Sequence, residues 1–427
     1  MIGRIKAWFA ARDIDWGITG FLLGYHAVLL LALPAYLYFF TPSVALLVTT
    51  FVVLSATMMS ITMGYHRLYS HRTFDASPIV EWVLLFFGTA SLQGSIIKWS
   101  HDHRLHHKHV DGEKDPYGIQ HGFWYAHMLW LFEKAQPINP SIVKDLFAKP
   151  LLKSQHEHYG IWAWSVNIAL TLAVGFALGD VLGAVVFVFL LRLFLAHHGT
   201  WFINSAAHMW GSKPYSTEHS AVNNFFIAFL TFGEGYHNYH HTFAGDYRNG
   251  VRWWQFDPSK LAIWLLSKIG LTRNLRRVND LTIKKRLVMA DRHLMIEHLR
   301  EVGQANLEFL RSRGHDSLEQ FLQNAQTNLE TVKAVGQENL EQLRAMREEN
   351  LERLHERIDE ATERFNQRVK EVKADALAYK KAKKEASRAE LDRISLNLRS
   401  KREQLKQDWH AWQALTNEVL QLKPAFA

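Results

Sequence analysis

The sequence predicts an all-α membrane protein with four transmembrane helices in two hairpins, a cytoplasmic helical cap and a long C-terminal amphipathic or coiled-coil helix. Three observations support this fold class: four long apolar runs, a change of composition near residue 270, and an eleven-residue repeat in the last third. Residues 1–270 carry 35 charged and 47 aromatic side chains, against 55 and 7 in residues 271–427. We therefore expect a membrane domain over residues 1–280 and a helical tail over residues 281–427.

The net charge and the absence of cysteine exclude several classes of function. The formal charge of +8 divides into +3 for residues 1–270 and +5 for residues 271–427. This mild basicity fits contact with a membrane surface and predicts no nucleic-acid partner. Because the chain has no cysteine, disulfides, thiolate metal sites, iron–sulfur clusters and a cysteine nucleophile are excluded within it.

Four apolar runs are long enough to cross a hydrocarbon core of about 30 Å, which takes about 20 helical residues. They cover residues 17–40, 43–64, 161–179 and 181–203, and only one or two residues separate the members of each pair. Basic residues stand at one end of each hairpin, namely Arg4, Lys6, Arg12, Arg67, Arg72 and Lys153. The positive-inside rule places this end and both termini in the cytoplasm, and we expect a bacterial inner membrane. The first span is predicted to be an anchor, since it is too long for a signal peptide.

A fifth apolar segment, Ile79–Ile97, is predicted not to cross. It contains Glu81 and Gln93 and lies between two histidine-rich stretches. A crossing would put those stretches in opposite compartments, although they resemble parts of one site. We therefore expect an interfacial or re-entrant helix, with a plain fifth span as the alternative.

Nine of the 19 histidines in residues 1–270 follow paired spacings. H-x-x-H-H occurs at 103–107 and again at 237–241, and spacings of three and four place side chains on one helix face. His66 and His71 form a further pair, and Asn204 stands four residues before His208. Imidazole suits iron, zinc or copper, and nine histidines exceed a closed four-ligand zinc site. The cytoplasmic cap is thus predicted to hold two metals with room for an exogenous ligand.

The remaining ten histidines of this region lack the paired spacing. They are predicted to be hydrogen-bonded residues that support the fold or orient the metal ligands. The set is His26, His101, His109, His121, His127, His156, His158, His197, His198 and His219.

Taken with their order, the motifs resemble those of the integral-membrane fatty acyl desaturases, in particular the acyl-CoA type that inserts a cis double bond in mid-chain. The matching strings are HRLYSH (66–71), DHRLHH (102–107), DPY (115–117), NSAAH (204–208), GEGYHNYHH (233–241), DYRNG (246–250) and DPSK (257–260). The resemblance covers roughly residues 17–278 and does not include the tail.

This resemblance implies a non-haem diiron centre that uses dioxygen. Its ligands would be His66, His71, His103, His106, His107, His208, His237, His240 and His241, with Asn204 reaching a metal through water. Removing two hydrogens from an unactivated methylene pair requires a strong oxidant of this kind. The chain has no flavin, nicotinamide or haem motif, so electrons would come from a ferredoxin or a b-type cytochrome with its reductase.

The resemblance also implies substrate positions. Gln93, Trp99 and Thr200 match residues that bend the acyl chain beside the metals, and Trp201 follows as in the family. Asp102 matches a residue near the CoA head group, and Lys134 is what remains of an expected basic pair. The carrier therefore stays open among CoA, acyl carrier protein and intact lipid. Trp99 and Trp201 could alternatively be aromatics of the membrane interface.

The tail contains seven copies of an eleven-residue unit from Asp291, each with glutamate at its seventh position. Positions six and nine are mostly Leu, Ile, Val or Phe, and a third stripe position is small at Gly303, Gly314, Ala325 and Gly336. Eleven residues in three turns predict a long, nearly straight amphipathic helix. We expect self-association or docking on another protein through this stripe; a solvated helix that packs on nothing is the alternative.

Two other functions share parts of this pattern. A diiron hydroxylase acting on a lipid would use the same ligands and insert oxygen. A catalytically inactive membrane scaffold would act through its tail, but the intact histidine motifs argue against it. The sequence therefore predicts an acyl desaturase first.

Overall fold

The computed structural model describes residues 12–324 and 329–423. It divides into two compact units, Met1–Val278 and Asn279–Ala427. Helices dominate both units, and the described residues contain one sheet, formed by two strands of two residues each. The all-α prediction is confirmed.

The first unit is built from helices of very different lengths. In chain order its α-helices and strands are α1 (Trp16–Phe39), α2 (Val44–Met59), β1 (Asp75–Ala76), α3 (Pro78–Ala90), α4 (Ile96–His109), α5 (Phe123–His127), α6 (Lys144–Phe147), α7 (Pro150–Glu157), α8 (Tyr159–Leu178), α9 (Val181–Gly183), α10 (Arg192–Asn204), α11 (Phe225–Leu230), α12 (His237–Thr242), α13 (Pro258–Lys268) and β2 (Thr272–Arg273). Two π-helical segments, Ser60–Ser70 and Ala184–Leu191, extend α2 and join α9 to α10. Short 3₁₀ turns lie at Ile119–His121, Leu129–Phe132 and Ala206–His208.

Four continuous helical stretches among the described residues are long and apolar enough to cross a membrane, as predicted. They are Trp16–Phe39, Val44–Ser70, Tyr159–Leu178 and Val181–His208. Polar side chains cap their first turns: Asp15 accepts from the backbone N–H of Ile18, and Ser43 accepts from that of Leu46. These caps satisfy N–H groups that would otherwise lack partners. Two stretches run past the predicted ends and carry His66 and His208 out of the apolar region.

Arg192 lies inside the fourth stretch and is fully buried. Its guanidinium donates to the carbonyls of Val188 (2.6 Å) and Ala90 (2.9 Å) and to the side-chain oxygen of Asn167 (2.5 Å). A charge among spans is costly unless it is hydrogen-bonded. Here neutral acceptors from three helices satisfy it, so Arg192 ties α3 and α8 to α10.

The segment predicted as one helix over Ile79–Ile97 is divided in the structure. Helix α3 ends at Ala90, and α4 begins at Ile96 with Ser95 as its N-cap. The 13 residues of α3 span about 20 Å, too short for a hydrocarbon core. This length favours the interfacial interpretation, and the break lets Gln93 leave the helical backbone next to α10.

The second unit contains three long helices, where the sequence predicted one. They are α14 (Asp280–Asn324), α15 (Leu329–Glu385) and α16 (Arg388–Leu420), and Ser387 caps the last. Their core is apolar and includes Met295, Leu299, Ile358, Phe365 and Trp412. At the described ends of the repeat, the chain therefore supplies partner helices for its own amphipathic stripe.

The structure describes the side chains of the eleven-residue repeat only near its two ends. A Cβ on Gly303 would lie 3.5 Å from Leu351, so this small position faces a neighbouring helix, as expected. In the seventh copy Phe365 is fully buried and Thr362 is buried beside it. The side chains of the middle copies, including Gly314, Ala325 and Gly336, lie outside the described residues.

Candidate metal centre

A π-helix brings the first histidine pair together. Residues 60–70 form i→i+5 hydrogen bonds, and the N–H of His71 donates to the carbonyl of His66 at 3.1 Å. This geometry places residues five apart on one face, whereas an α-helix would separate them. The rings of His66 and His71 consequently lie 4.8 Å apart between centroids.

The two H-x-x-H-H motifs lie on α4 and α12 and divide their histidines between two groups. The first group contains five residues, His66, His71, His103, His107 and His240, and the second contains four, His106, His208, His237 and His241. In each group one ring nitrogen from every member lies within 4.8 Å of all the others. Each motif thus gives two residues to one group and its middle histidine to the other.

The ring nitrogens that face one another are Nε2 atoms. In the first group His66 and His240 approach to 2.9 Å, and His71 and His103 to 2.8 Å. In the second group His208 and His237 approach to 3.1 Å, and His106 and His241 to 3.2 Å. The remaining nitrogen, Nδ1, faces outward in several of these residues and is available to an orienting partner.

Glu234 orients His66 in the first group. Its Oε2 lies 2.9 Å from Nδ1 of His66, and its Oε1 accepts from Nη2 of Arg67 at 2.9 Å. Arg67 also pairs with Asp257 at 3.0 Å, and the Asn249 amide donates to Glu234 at 2.5 Å. All are buried. Since a carboxylate only accepts, Nδ1 of His66 carries the proton and Nε2 presents a lone pair to the group.

Asp115 orients His106 in the second group through an Nδ1–carboxylate distance of 2.8 Å. Nδ1 of His208 lies 2.6 Å from the hydroxyl of Ser220, which in turn donates to Asp111. Because the single hydroxyl proton of Ser220 goes to Asp111, its oxygen accepts from His208. His106 and His208 therefore also turn lone-pair nitrogens inward.

Burial disfavours the protonated form of six of these imidazoles. It lowers the pKa of His71, His103, His107, His237, His240 and His241 well below the usual value, and a proton on any neighbouring imidazole would lower it further. For Glu234, burial raises the pKa, but His66 and Arg67 outweigh that effect and bring it below the usual value. These six histidines are thus neutral nitrogen donors, and an ionised carboxylate lies behind His66.

This donor set fits metal cations. Lone pairs of His106, His208 and His66 point at other nitrogens within each group, an arrangement that repels unless a cation lies between them. Five and four imidazoles leave room for two ions, and the carboxylate partners match those that usually support metal-bound histidine. These two groups indicate a metal site.

Of the predicted substrate residues, Gln93 contacts Thr200, and Trp99 contacts a histidine of the first group. The side-chain amide of Gln93 donates to the hydroxyl of Thr200 at 2.9 Å, which links the α3–α4 connection to α10. Trp99 stacks on His103 with ring centroids 4.9 Å apart and an interplanar angle of 26°. Trp99 therefore packs on a candidate ligand and is not an exposed membrane-interface aromatic.

The other predicted site residues lie elsewhere. Trp201 is buried and packs on His197 and His198. Asp102 is paired with Lys98 and with Nδ1 of His101. The exposed Lys134 pairs with Asp13 at 2.8 Å, and Asn204 is half-buried at the end of α10. Their assigned roles stay predictions.

Several of the ten other histidines form hydrogen bonds of their own. Nε2 of His198 lies 3.1 Å from His26, and its Nδ1 lies 3.0 Å from His127, which contacts Ser205 at 2.9 Å. His197 contacts Tyr25 and the carbonyl of Ser91. His219 lies beside His241, with ring centroids 5.3 Å apart. The contacts among His26, His198 and His127 join α1, α10 and α5 on the side of Trp201.

Sequence reasoning missed the orienting residues. Glu234 and Asp115 stand inside the quoted motifs GEGYHNYHH and DPY, and Tyr117 contacts Nδ1 of His103 at 3.2 Å. Their position next to histidines in charged strings was a usable signal. Ser220 and Asp111, in contrast, are 109 positions apart, and no local pattern joins them.

A comparison with family models matches residues 42–263 to the fatty acid desaturase family, a stretch that ends before the tail. The chain is 40% identical over 270 residues to a probable acyl-CoA desaturase of Schizosaccharomyces pombe, covering 62% of this chain and 56% of that protein. It is 36% identical over 236 residues to acyl-CoA desaturase 1 of Saccharomyces cerevisiae, covering 55% of this chain and 46% of that protein. It thus spans about half the length of these two relatives.

A cyanobacterial relative is covered almost completely. The chain is 32% identical over 267 residues to the sn-1 stearoyl-lipid 9-desaturase of Anabaena variabilis, covering 62% of this chain and 94% of that protein. Relatives therefore include proteins named for acyl-CoA and proteins named for lipid-linked acyl chains.

Proposed function

The chain belongs to the fatty acid desaturase family, and we propose that it inserts a cis double bond into a saturated fatty acyl chain in a dioxygen-dependent reaction. The observation that carries the proposal is the pair of inward-facing histidine groups, with Trp99 stacked on His103 of the first group. Fatty acyl-CoA is the first choice of substrate, followed by an acyl chain on carrier protein or lipid.

Two iron ions are the proposed cofactor. The first histidine group would hold one and the second group the other, with Asn204 acting through water. All-nitrogen ligation suits iron, and the ions would supply the oxidising power for breaking unactivated C–H bonds. The protein's own part is to keep each Nε2 unprotonated through Glu234, Asp115 and Ser220, and to shield the centre from water.

In the overall reaction dioxygen is reduced to two waters. Two electrons and two protons come from the acyl chain, and two more of each come from outside. We propose a ferredoxin or a b-type cytochrome with its reductase as the external source. Gln93, Trp99 and Thr200 would position the methylene pair, while Asp102, Lys134 and Trp201 would act further along the acyl carrier or chain.

We also propose that the histidine groups and both termini face the cytoplasm. The basic residues at the hairpin ends support this orientation. A bacterial inner membrane stays a prediction, since the relatives include yeasts and cyanobacteria.

The test is expression in a host that lacks unsaturated fatty acids, followed by mapping of double bonds in its lipids. We expect cis-monounsaturated chains, and Thr200→Ala should alter their chain length or bond position while metal content stays unchanged. Hydroxylated chains without double bonds would favour the hydroxylase. An unchanged lipid profile, obtained with fully metal-loaded protein and a competent reductant, would contradict both the desaturase and the hydroxylase function.

A further inference from the structure

Two segments of the first unit expose large apolar side chains away from the histidine groups. Helix α11 leaves Phe226 78% exposed and Phe229 60% exposed, and the loop before α13 leaves Trp253 92% exposed. Trp254, Trp264 and Leu265 continue the same surface. We call these six residues the aromatic collar. Contiguous apolar surface on this scale marks an interaction site.

The collar is one surface formed by two chain segments. The rings of Phe229 and Phe256 contact each other at 5.2 Å between centroids, which joins α11 to the segment that leads into α13. Inward-facing residues fix both segments, because Ile227 of α11 and Ile263 of α13 are buried. The exposed side chains are therefore held outward by a packed interior.

The collar lies at the depth where the spans leave the hydrocarbon core. A Cβ on Gly199 would lie 3.5 Å from the carbonyl oxygen of Leu230, at the end of α11. The hydroxyl of Thr62 hydrogen-bonds to that of Ser259, in the first turn of α13. Gly199 and Thr62 each follow the first residue of their span, Val181 and Val44, by 18 residues. This corresponds to about 27 Å of helix, close to the full thickness of the hydrocarbon core.

The residue types match a lipid interface better than a protein partner. Phenylalanine and tryptophan are accompanied by basic side chains that lie over the rings: Lys268 Nζ is 4.9 Å from the centroid of Trp264, and the Arg252 guanidinium is 6.0 Å from that of Trp254. Aromatic rings with lysine and arginine beside them are typical of the headgroup layer.

We propose that the aromatic collar is embedded in the cytoplasmic headgroup layer, as an in-plane surface beyond the four spans. Through it the membrane fixes the height of the histidine groups. The N-cap of helix α11 is joined to the segment that leads into the H-x-x-H-H motif at 237–241, because the N–H of Asn224 donates to the carbonyl of Gly235 at 2.8 Å. A Cβ on Gly235 would lie 2.1 Å from the nitrogen of Ala228, so only glycine permits this contact. The lipid contact is independent of the reaction proposed above.

The absence of cysteine allows a direct test, since each introduced thiol is the only one. Phe226→Cys and Trp253→Cys, labelled with an environment-sensitive fluorophore, would be compared in nanodiscs with a control, Glu113→Cys, at an exposed position of the same unit. Phe51→Cys, on the exposed face of α2, is the lipid-buried reference. Each labelled protein is checked for unchanged metal content before use.

We expect lipids that carry a spin label near the headgroup to quench the labels at 226 and 253 at least about twofold more than at 113, since in-plane helices lie about 5–10 Å into the boundary. Iodide should show the reverse order. Quenching at 226 and 253 by iodide but not by lipid would overturn the proposal. Shielding of both labels from both quenchers would overturn it as well, and would indicate a second copy of the chain on the collar.

Discussion

The two units differ in the polar side chains that they bury. The centre of the membrane unit holds Arg67, Glu234 and Asp257 together with most of the nine histidines, all hydrogen-bonded or in contact within the groups. The core of the tail is apolar, and Asp291, which accepts from the indole N–H of Trp412 at 3.1 Å, is a rare polar contact there. Buried polar groups cost stability unless they are paired. The polar centre is therefore explained by chemistry, and the apolar core by helix packing.

This difference predicts how each unit responds to change. In the membrane unit a side chain can be altered at constant shape with a large loss of function. In the tail the same kind of change should affect structure or assembly and leave the reaction intact.

The largest effect is expected from His107→Ala in the first histidine group. The variant removes one of the five candidate nitrogen ligands of this group. It should reduce desaturation to background and lower the amount of bound metal, which elemental analysis measures. His109→Ala, on the same helix but outside both groups, is the matched control and should retain most activity. Equal losses in the two variants would show that α4 is required only for folding.

The next effect concerns Glu234→Gln, which keeps the shape and removes the charge. The amide can no longer enforce a proton on Nδ1 of His66, and it leaves Arg67 less well paired. We expect metal affinity or activity to fall about 10- to 100-fold, with the protein still folded. Titration of bound metal against a chelator measures this loss. Glu113→Gln, at an exposed position, should change nothing, and a wild-type metal affinity of Glu234→Gln would refute the orienting role.

The two units also differ in how much of their structure could be predicted from the sequence. Spans and histidine motifs depend on composition and short spacings, so the four crossing helices and the paired histidines could be predicted locally. The approach of His71 to His66 depends on a π-helix, and no residue pattern in the sequence predicted this helix. The contact of Asp111 with Ser220 joins distant segments and could not be inferred from spacing.

For the tail the eleven-residue period predicted helix and stripe correctly, but not the reversal of the chain. Ser387 caps a new helix without any proline or glycine nearby. At the described ends of the repeat, helices of the same chain cover part of the stripe. Periodicity specifies which face is apolar, and it does not specify what covers that face.

A smaller effect, opposite in sign for the two units, is expected from pH in metal-free protein. In the membrane unit burial lowers the pKa of His103, His107 and His240 below that of the unfolded chain. The unfolded state then binds more protons, so stability is full above pH about 6.5 and falls below it, by up to about 1.4 kcal/mol per pH unit for each proton taken up.

Burial raises the pKa of Asp291 in the tail, although the Trp412 hydrogen bond opposes this. There the folded state binds more protons near the carboxyl pKa, so the stability of the tail falls as pH rises through that range. Calorimetry of chelator-treated protein at decreasing pH should move the transition of the membrane unit to lower temperature below pH about 6.5, and that of the tail to higher temperature once the carboxyl range is reached. A shift of both transitions in the same direction would contradict the assignment to histidines.

The smallest effect on chemistry is expected from removing the tail altogether. The first unit ends at Val278, whose N–H donates to Asp246 at 2.9 Å, so deletion of residues 279–427 leaves its hydrogen bonds intact. We expect metal content and desaturation within about twofold of the full chain, because no described residue of the tail belongs to either histidine group. Oligomer size in detergent should decrease if the repeat associates between copies.

Trp412→Ala is the matched variant in the full chain. The ring of Trp412 is fully buried and packs among α14, α15 and α16, so its loss should lower the free energy of unfolding of the tail by about 3–5 kcal/mol. Tail unfolding with unchanged turnover would keep the two units separate in function, whereas loss of desaturation in a folded truncate would show that the tail contributes to the reaction.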